Sequence, residues 1–183
     1  MRASRLRGDL VRSVMNWLWG SLSPLGMGVA ALTVLVDQVN KAWMLYVYDI
    51  AAKAPVAITP VFDLILVWNQ GISYGLLQQD SDFGRWALIA FAIVTSLALT
   101  VWLSQVTSKL VAASIGLIIG GAIGNAIDRI VHGAVADFFS FHAFGYQWYI
   151  FNIADVAIVA GVVGLLCESL FGGHKKVSKP PSM

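Results

Sequence analysis

A single cysteine, Cys167, stands in the whole chain, which excludes an intrachain disulfide and any cysteine-cluster metal site. Set in an apolar run, it reads as a small core or lipid-facing residue. Charge is scarce too: Asp, Glu, Lys and Arg make up 12% of the 183 residues, while 58% are hydrophobic. A soluble domain carries roughly twice that share of charge. No Gly-Lys phosphate loop and no His-Glu-x-x-His pair is present. The three histidines, His132, His142 and His174, lack ligand spacing, so no metal is expected. Gly71-Ile72-Ser73-Tyr74-Gly75 matches a bare Gly-x-Ser-x-Gly, but no histidine is placed to serve Ser73. Nucleophilic serine chemistry is therefore a weak reading.

What the chain does have is hydrophobic length. Apolar segments at 25–46, 84–104, 109–128 and 153–171 each approach the ~20 residues needed to cross ~30 Å of hydrocarbon. The expected fold is a mainly α membrane protein with four transmembrane helices. Residues 56–69 and 134–150 are rich in β-branched and aromatic types and read as a small outward-facing β-sheet. Residues 24–171 form the four-span unit, flanked by a basic amphipathic extension (1–23) and a basic tail (172–183). The extension carries Arg2, Arg5, Arg7 and Arg12, with Leu6, Leu10, Val14 and Leu18 at helical spacing, and suits an anionic membrane surface. A targeting presequence is the rival reading, although no small-residue cleavage site follows. Lys109 lies in the short turn between the second and third segments, and Lys175, Lys176 and Lys179 in the tail, whereas loops 47–83 and 129–152 are poor in Lys and Arg. The positive-inside rule then puts both termini in the cytoplasm and both loops outside. Trp43, Trp68, Trp86 and Trp148 fall near the outer interface, as anchors should.

Against that background the ionisable residues of the apolar segments stand out, because charge at membrane depth is costly and usually functional. Asp37 and Lys41 lie four apart on one helix face. Gly116, Gly120 and Gly124 step along the third segment, with Gly121 beside them; Ala157 and Gly161 do the same in the fourth. Small residues at that spacing let helices approach closely in lipid. Such packing would carry Asn125, Asp128 and Arg129 toward Asn152 and Asp155. Asp128 and Arg129 read either as a polar helix end with an internal ion pair or as a brace for a site. Asn152 and Asp155 read alone as a capping box. Asp137 alters that balance: flanked by Ala136, Phe138 and Phe139, it is locally desolvated. Two carboxylates in unlike surroundings divide into an acid and a base.

In chain order, Asp37-Gln38-x-x-Lys41, Asn69-x-Gly71-x-x-x-Gly75, Gly120-Gly121-Ala122-x-Gly124-Asn125-x-x-Asp128-Arg129, Gly133-x-Val135-x-Asp137-Phe138 and Phe151-Asn152-x-Ala154-Asp155 resemble signal peptidase II, the bacterial lipoprotein signal peptidases. The resemblance runs from Asp37 to Glu168. It implies a four-helix intramembrane aspartyl peptidase with an outer sheet and a lid helix. By it, Asp137 and Asp155 are the catalytic pair, and Asp37, Lys41, Asn69, Gly71, Asn125, Asp128, Arg129 and Asn152 bind substrate or brace the site. It further implies hydrolysis of prolipoproteins just before a diacylglyceryl-modified cysteine, at the outer face of the bacterial inner membrane. Membrane lipids are the expected surroundings and the protein is expected to be a monomer. No cofactor, metal or nucleic acid is implied. The rival functions are a small transporter and a non-catalytic assembly subunit. A transporter should spread ionisable groups across membrane depth, whereas these residues gather toward the outer side.

Overall fold

The computed structural model describes residues 19–71 and 82–172. Most of the expected N-terminal extension (residues 1–18), the tail from residue 173, and Ser73 with its surroundings lie outside them. Helix α1 spans Ser23–Ala42 and continues as a π-helical turn, Trp43–Val47, before a short α2, Ile50–Lys53. Strands β1 (Val56–Thr59) and β2 (Phe62–Asn69) follow, then α3 (Asp82–Leu103) and α4 (Lys109–His132). Strands β3 (Val135–Ala143) and β4 (Tyr146–Phe151) lead into α5 (Ile153–Phe171).

Helices α3, α4 and α5 are long and apolar enough to cross a membrane by length and composition. Helix α1 is as long, but Asp37, Gln38, Asn40 and Lys41 dilute its hydropathy. Half of the apolar span of α4 is buried, against 17% for α3 and α5, so α4 is the central helix and the other two show most of their surface to the surroundings. Its glycines make that centrality possible. A methyl group on Gly120 would lie 2.5 Å from the Thr33 side chain of α1, and one on Gly121 would strike the Ala154 carbonyl of α5. In lipid, where no hydrophobic drive pulls helices together, such close approach supplies the packing contacts that hold a bundle.

The sheet has the order β1-β2-β3-β4, all antiparallel. The two expected β regions are thus two hairpins, the first turning at residues 60–61 and the second at 144–145. Gly133, in the left-handed region at φ 79°, ends α4 and turns the chain sharply into β3. Strand β3 is buried on both faces from Val135 to Phe138. Ala136 and Phe138 pack with Met44 and Ile50 in an outer apolar cluster. A second cluster, with Ala30, Leu103, Ile115 and Ile119, lies toward the other end of the bundle. Along α1, Asp37 and Lys41 fall between Ala30 of one cluster and Met44 of the other, so the polar residues form a layer between two apolar ones. Apart from α2, only four residues long, no lid helix occurs among the described residues.

Candidate active site

The layer is built from both ends of the sequence. Lys41 bridges two acids: its Nζ lies 2.8 Å from Asp37 Oδ2 on its own helix and 2.8 Å from Asp128 Oδ2 on α4. All three side chains are at most 4% exposed. Gln38 closes the same knot, its amide donating to Asp37 Oδ2 at 3.1 Å, to Asp128 Oδ1 at 3.0 Å and to the Gly124 carbonyl at 3.2 Å. The remaining oxygen of Asp37 accepts from the Ala154 N–H at 3.0 Å, and Asp128 accepts from the Ala136 N–H at 3.2 Å. This knot therefore pins α1 to α4, to the start of α5 and to the start of β3. A methyl group on Gly124 would sit 2.6 Å from Asp37 Oδ2, so only glycine lets the carboxylate pass.

Asp128 and Arg129, adjacent in sequence, point to different partners. Asp128 turns to α1, while Arg129 donates to the Gly71 carbonyl at 3.0 Å and to the Asn125 carbonyl at 3.2 Å. The internal Asp128–Arg129 ion pair considered from sequence is absent, because neighbouring helix residues lie about 100° apart.

Next to this knot lies a second pair of acids. Asp137 comes from β3 and is 2% exposed. Asn152 donates to its Oδ1 at 2.6 Å, and Asn69 donates to its Oδ2 at 3.1 Å. The sheet register explains Asn69. It pairs with Val135, and directly opposed residues share a face, as do residues two apart; Asp137 thus lies on the face of Asn69. Asn69 also accepts from the Gly71 N–H at 3.1 Å, and Arg129 holds Gly71 from its other side.

Asp155 comes from the first turn of α5. The capping box expected from sequence is present: the Asp155 N–H donates to Asn152 Oδ1 at 3.0 Å, and the Asn152 N–H donates to Asp155 Oδ2 at 3.2 Å. Asn125 donates to Asp155 Oδ1 at 2.8 Å. Its own Oδ1 accepts from Asn152 at 3.1 Å and from Lys41 at 3.3 Å. Asn152 thus caps a helix and joins the two carboxylates at once; the structural and functional readings of that motif coincide.

Asp137 lies on a strand, outside the spanning helices. Burial pushes its carboxyl up to about 7, the nearby Asp155 adds to the rise, and the Asn69 and Asn152 amides oppose it. Near neutral pH it can therefore hold or release a proton. A cavity of about 330 Å³ opens between α3, α4 and α5, with Asn69, Gly71, Asn125, Arg129 and Asp155 on its walls. Asp137 stands behind Asn69, not on the wall itself.

All ten residues singled out in sequence are therefore drawn into one connected cluster. Gln38 is the member that sequence reasoning passed over, although it lay inside the quoted Asp37-to-Lys41 stretch. Elsewhere, His142 pairs with Asp63 at 2.9 Å and His132 lies against the Trp68 ring, so these two histidines serve separate contacts. Cys167 is exposed on α5, in keeping with a lipid-facing residue.

An apolar bundle that gathers six ionisable side chains, Asp37, Lys41, Asp128, Arg129, Asp137 and Asp155, into one largely buried layer beside a cavity is the architecture of a multi-pass membrane enzyme. Two solved bacterial membrane enzymes share it. One, determined by the in meso method at 2.3 Å, superposes with a TM-score of 0.72 at 26% identity over 87% of this chain and 95% of its own. Another, at 1.9 Å, gives 0.64 at 25% identity over 84% and 95%. The chain belongs to the signal peptidase II family, whose model, described as signal peptidase (SPase) II, matches residues 29–171. The lipoprotein signal peptidase of Methylobacterium sp. (strain 4-46) is 48% identical over 80% of this chain and 89% of its own. That of Methylocella silvestris is 50% identical over 82% and 88%.

Proposed function

We propose that the protein is an intramembrane aspartyl endopeptidase that removes signal peptides from prolipoproteins just before a diacylglyceryl-modified cysteine. The observation that carries this reading is the pair Asp137 and Asp155, joined through Asn152, the first buried behind Asn69 and the second half-buried on the wall of a cavity between apolar helices. Asp155 lies on the cavity wall and takes a proton from the attacking water. Asp137, held mostly protonated by its surroundings below about pH 7, donates to the substrate carbonyl oxygen. As the C–N bond breaks, the proton gained by Asp155 passes to the leaving amine and a hydroxyl of the tetrahedral intermediate returns its proton to Asp137, so the pair regains its starting state. Because the two groups interact, their titration belongs to the pair. Asn69 covers Asp137 in this structure, so an arriving water or carbonyl takes the place of the Asn69 amide. Arg129, whose Nε has no partner among the described residues, offers a donor from the same wall.

In this reading α1 crosses the membrane with α3, α4 and α5, both termini are cytoplasmic, and the sheet lies at the outer face of the inner membrane. The exposed rings of Trp43, Trp68 and Trp86 near that end of the bundle suit a membrane interface there. The test is cleavage by the purified protein of two peptides that differ only in diacylglyceryl modification of the cysteine. Cleavage of the modified peptide alone, lost in Asp137→Asn and Asp155→Asn, is the expected result. Turnover by either variant would overturn the assignment.

A further inference from the structure

Asp155 is reached from a second cavity besides the one between α3, α4 and α5. This second space, of about 460 Å³, lies between the sheet and α5, with Phe141 and Phe151 on one side and Val156, Val159 and Val163 on the other. Among the described residues, Asp155 and Tyr149 alone line both cavities. They form the ridge that parts the two spaces. Asp155 supplies a reacting group in the proposed chemistry, and Tyr149 has no part in it.

The local fold sets the Tyr149 ring in that place. Tyr149 and Phe151 are two apart on β4, so their side chains stand on one face of the sheet. Phe139 pairs with Phe151 across the strands and shares that face. The Tyr149 ring lies nearly parallel to that of Phe151, with 8° between the planes and 6.4 Å between centroids. Phe139 and Phe141 each approach Phe151 to 5.7 Å, so Tyr149 belongs to an aromatic tier centred on Phe151. Phe151 directly precedes Asn152, which joins the two carboxylates. One short stretch of backbone therefore carries both the tier and the link between the acids, and it holds the ring at a set place relative to Asp155.

A peptide lying against apolar helices has little to fix its position. Leu88, Phe91 and Ala92 of α3 and Ile118 of α4 bring no hydrogen-bonding side chain to the wall. An extended chain that slips by one residue moves only about 3.4 Å. Asn69, Asn125 and Arg129 can bond to a peptide backbone, but each residue of a peptide brings the same N–H and C=O, so such bonds can form again after a slip. A ridge acts differently. A chain laid across Asp155 has its groups on either side in separate spaces, and slipping would drive a side chain past the ring. Resting on the reaction proposed above, we propose that Tyr149 is the positioning residue that fixes which peptide bond of the substrate meets Asp155.

The test uses the full chain in bicelles and a diacylglyceryl-modified peptide with alanines on both sides of the cysteine, so that no bulky neighbour by itself blocks a slip. Products are identified by mass. Wild type should cut one bond. Tyr149→Ala joins the two cavities, and its preference for that bond over the neighbouring ones should fall roughly tenfold or more, the worth of one large apolar contact. Tyr149→Phe keeps the ring and should keep the wild-type product. A merely structural role would lower the rate without moving the cut. Folded Tyr149→Ala protein that yields the wild-type product alone, fast or slow, therefore overturns the proposal, and so does a wild type that cuts several bonds equally. Absence of cleavage by wild type instead overturns the underlying reaction. Should Tyr149→Ala misfold, the peptide with a photoreactive side chain just before the cysteine is bound to Asp137→Asn protein and irradiated. Adducts on Tyr149 support the proposal; adducts that spare it overturn it.

Discussion

Four carboxylates meet in one layer, three of them buried and Asp155 half-buried, and they fall into two unlike pairs. Asp37 and Asp128 share a single ammonium, with Lys41 Nζ 2.8 Å from each. Asp137 and Asp155 receive only amides: Asn69, Asn152 and Asn125, with the Asn152 N–H. The first pair has its charge opposed in place and its oxygens tied to the backbone of α5 and β3. That is an arrangement for holding elements together. The second pair is held in position by neutral donors, which fix geometry without cancelling charge. Proton sharing is then left open to it, because no contacting cation favours the doubly ionised state. The difference teaches that burial alone does not decide what a carboxylate can do; what touches it does.

The sharpest way to break the comparison is to remove one carboxylate of each kind. Asp137→Asn and Asp155→Asn should each lower cleavage at least a thousandfold, roughly the scale of lost acid–base catalysis, and the double variant should lose little more, since the two act as a unit. The protein should remain folded by circular dichroism. Losses that multiplied in the double variant would mean two independent roles.

Lys41→Met addresses the other pair. It leaves two buried carboxylates facing each other without their cation, and breaking a buried ion pair costs about 3–5 kcal/mol. Thermal unfolding in detergent should show a large drop. Adding Asp128→Asn to Lys41→Met should recover part of it, because one stranded charge is then gone. A Lys41→Met protein as stable as wild type would show that Lys41 carries no structural weight.

How much of this was legible in the sequence depended on the kind of signal each residue sends. Helices α3 and α5 announced themselves by unbroken apolar length, and their expected bounds lie within two residues of the observed ones. Helix α4 runs one turn beyond its apolar segment, to His132, because Asn125, Asp128 and Arg129 are polar yet find partners inside the layer. Local apolarity cannot foresee a partner that lies 84 or 90 residues away, as for Lys41 with Asn125 or Gln38 with Asp128. Gln38 went unremarked for the same reason: a neutral amide beside an aspartate carries no pattern, and only the approach of Gly124 gives it three acceptors. The sheet was legible as two β-prone stretches, but its register was not. A break in pairing between Leu64 and Val67 decides which face of β2 meets Asp137, and such irregularities leave no mark in alternation.

Gly124 separates packing from chemistry at smaller magnitude. Gly124→Ala would press a methyl group on Asp37, 2.6 Å away and fully buried, and overpacking of this kind costs about 2–3 kcal/mol. The loss should be in unfolding temperature, with activity per folded molecule altered little. A larger effect on kcat than on stability would show that the Lys41 knot also sets the geometry of the proposed catalytic pair through Asn125.

The subtlest contrast is the response of stability to pH. Burial, then Asp155, hold the Asp137 carboxyl at about 7, well above its value in an unfolded chain. The native state therefore binds more protons than the unfolded state between about pH 4 and 7, and stability falls as pH rises through that window. The contribution is fully kept below the unfolded value and lost above about 7. Asparagine cannot ionise, so Asp137→Asn should gain on wild type as pH rises, by about 2–3 kcal/mol between pH 5 and 8; the imperfect fit of its amide to two amide donors is a constant offset that cancels in that difference. Asp37→Asn should do the reverse at every pH in that range, because it takes an anionic acceptor away from buried Lys41. Unfolding temperatures of both variants at pH 5 and 8 check this directly. If Asp137→Asn destabilised the protein equally at both pH values, Asp137 would be a structural acceptor like Asp37, and the division of the four carboxylates into a holding pair and a reacting pair would fail.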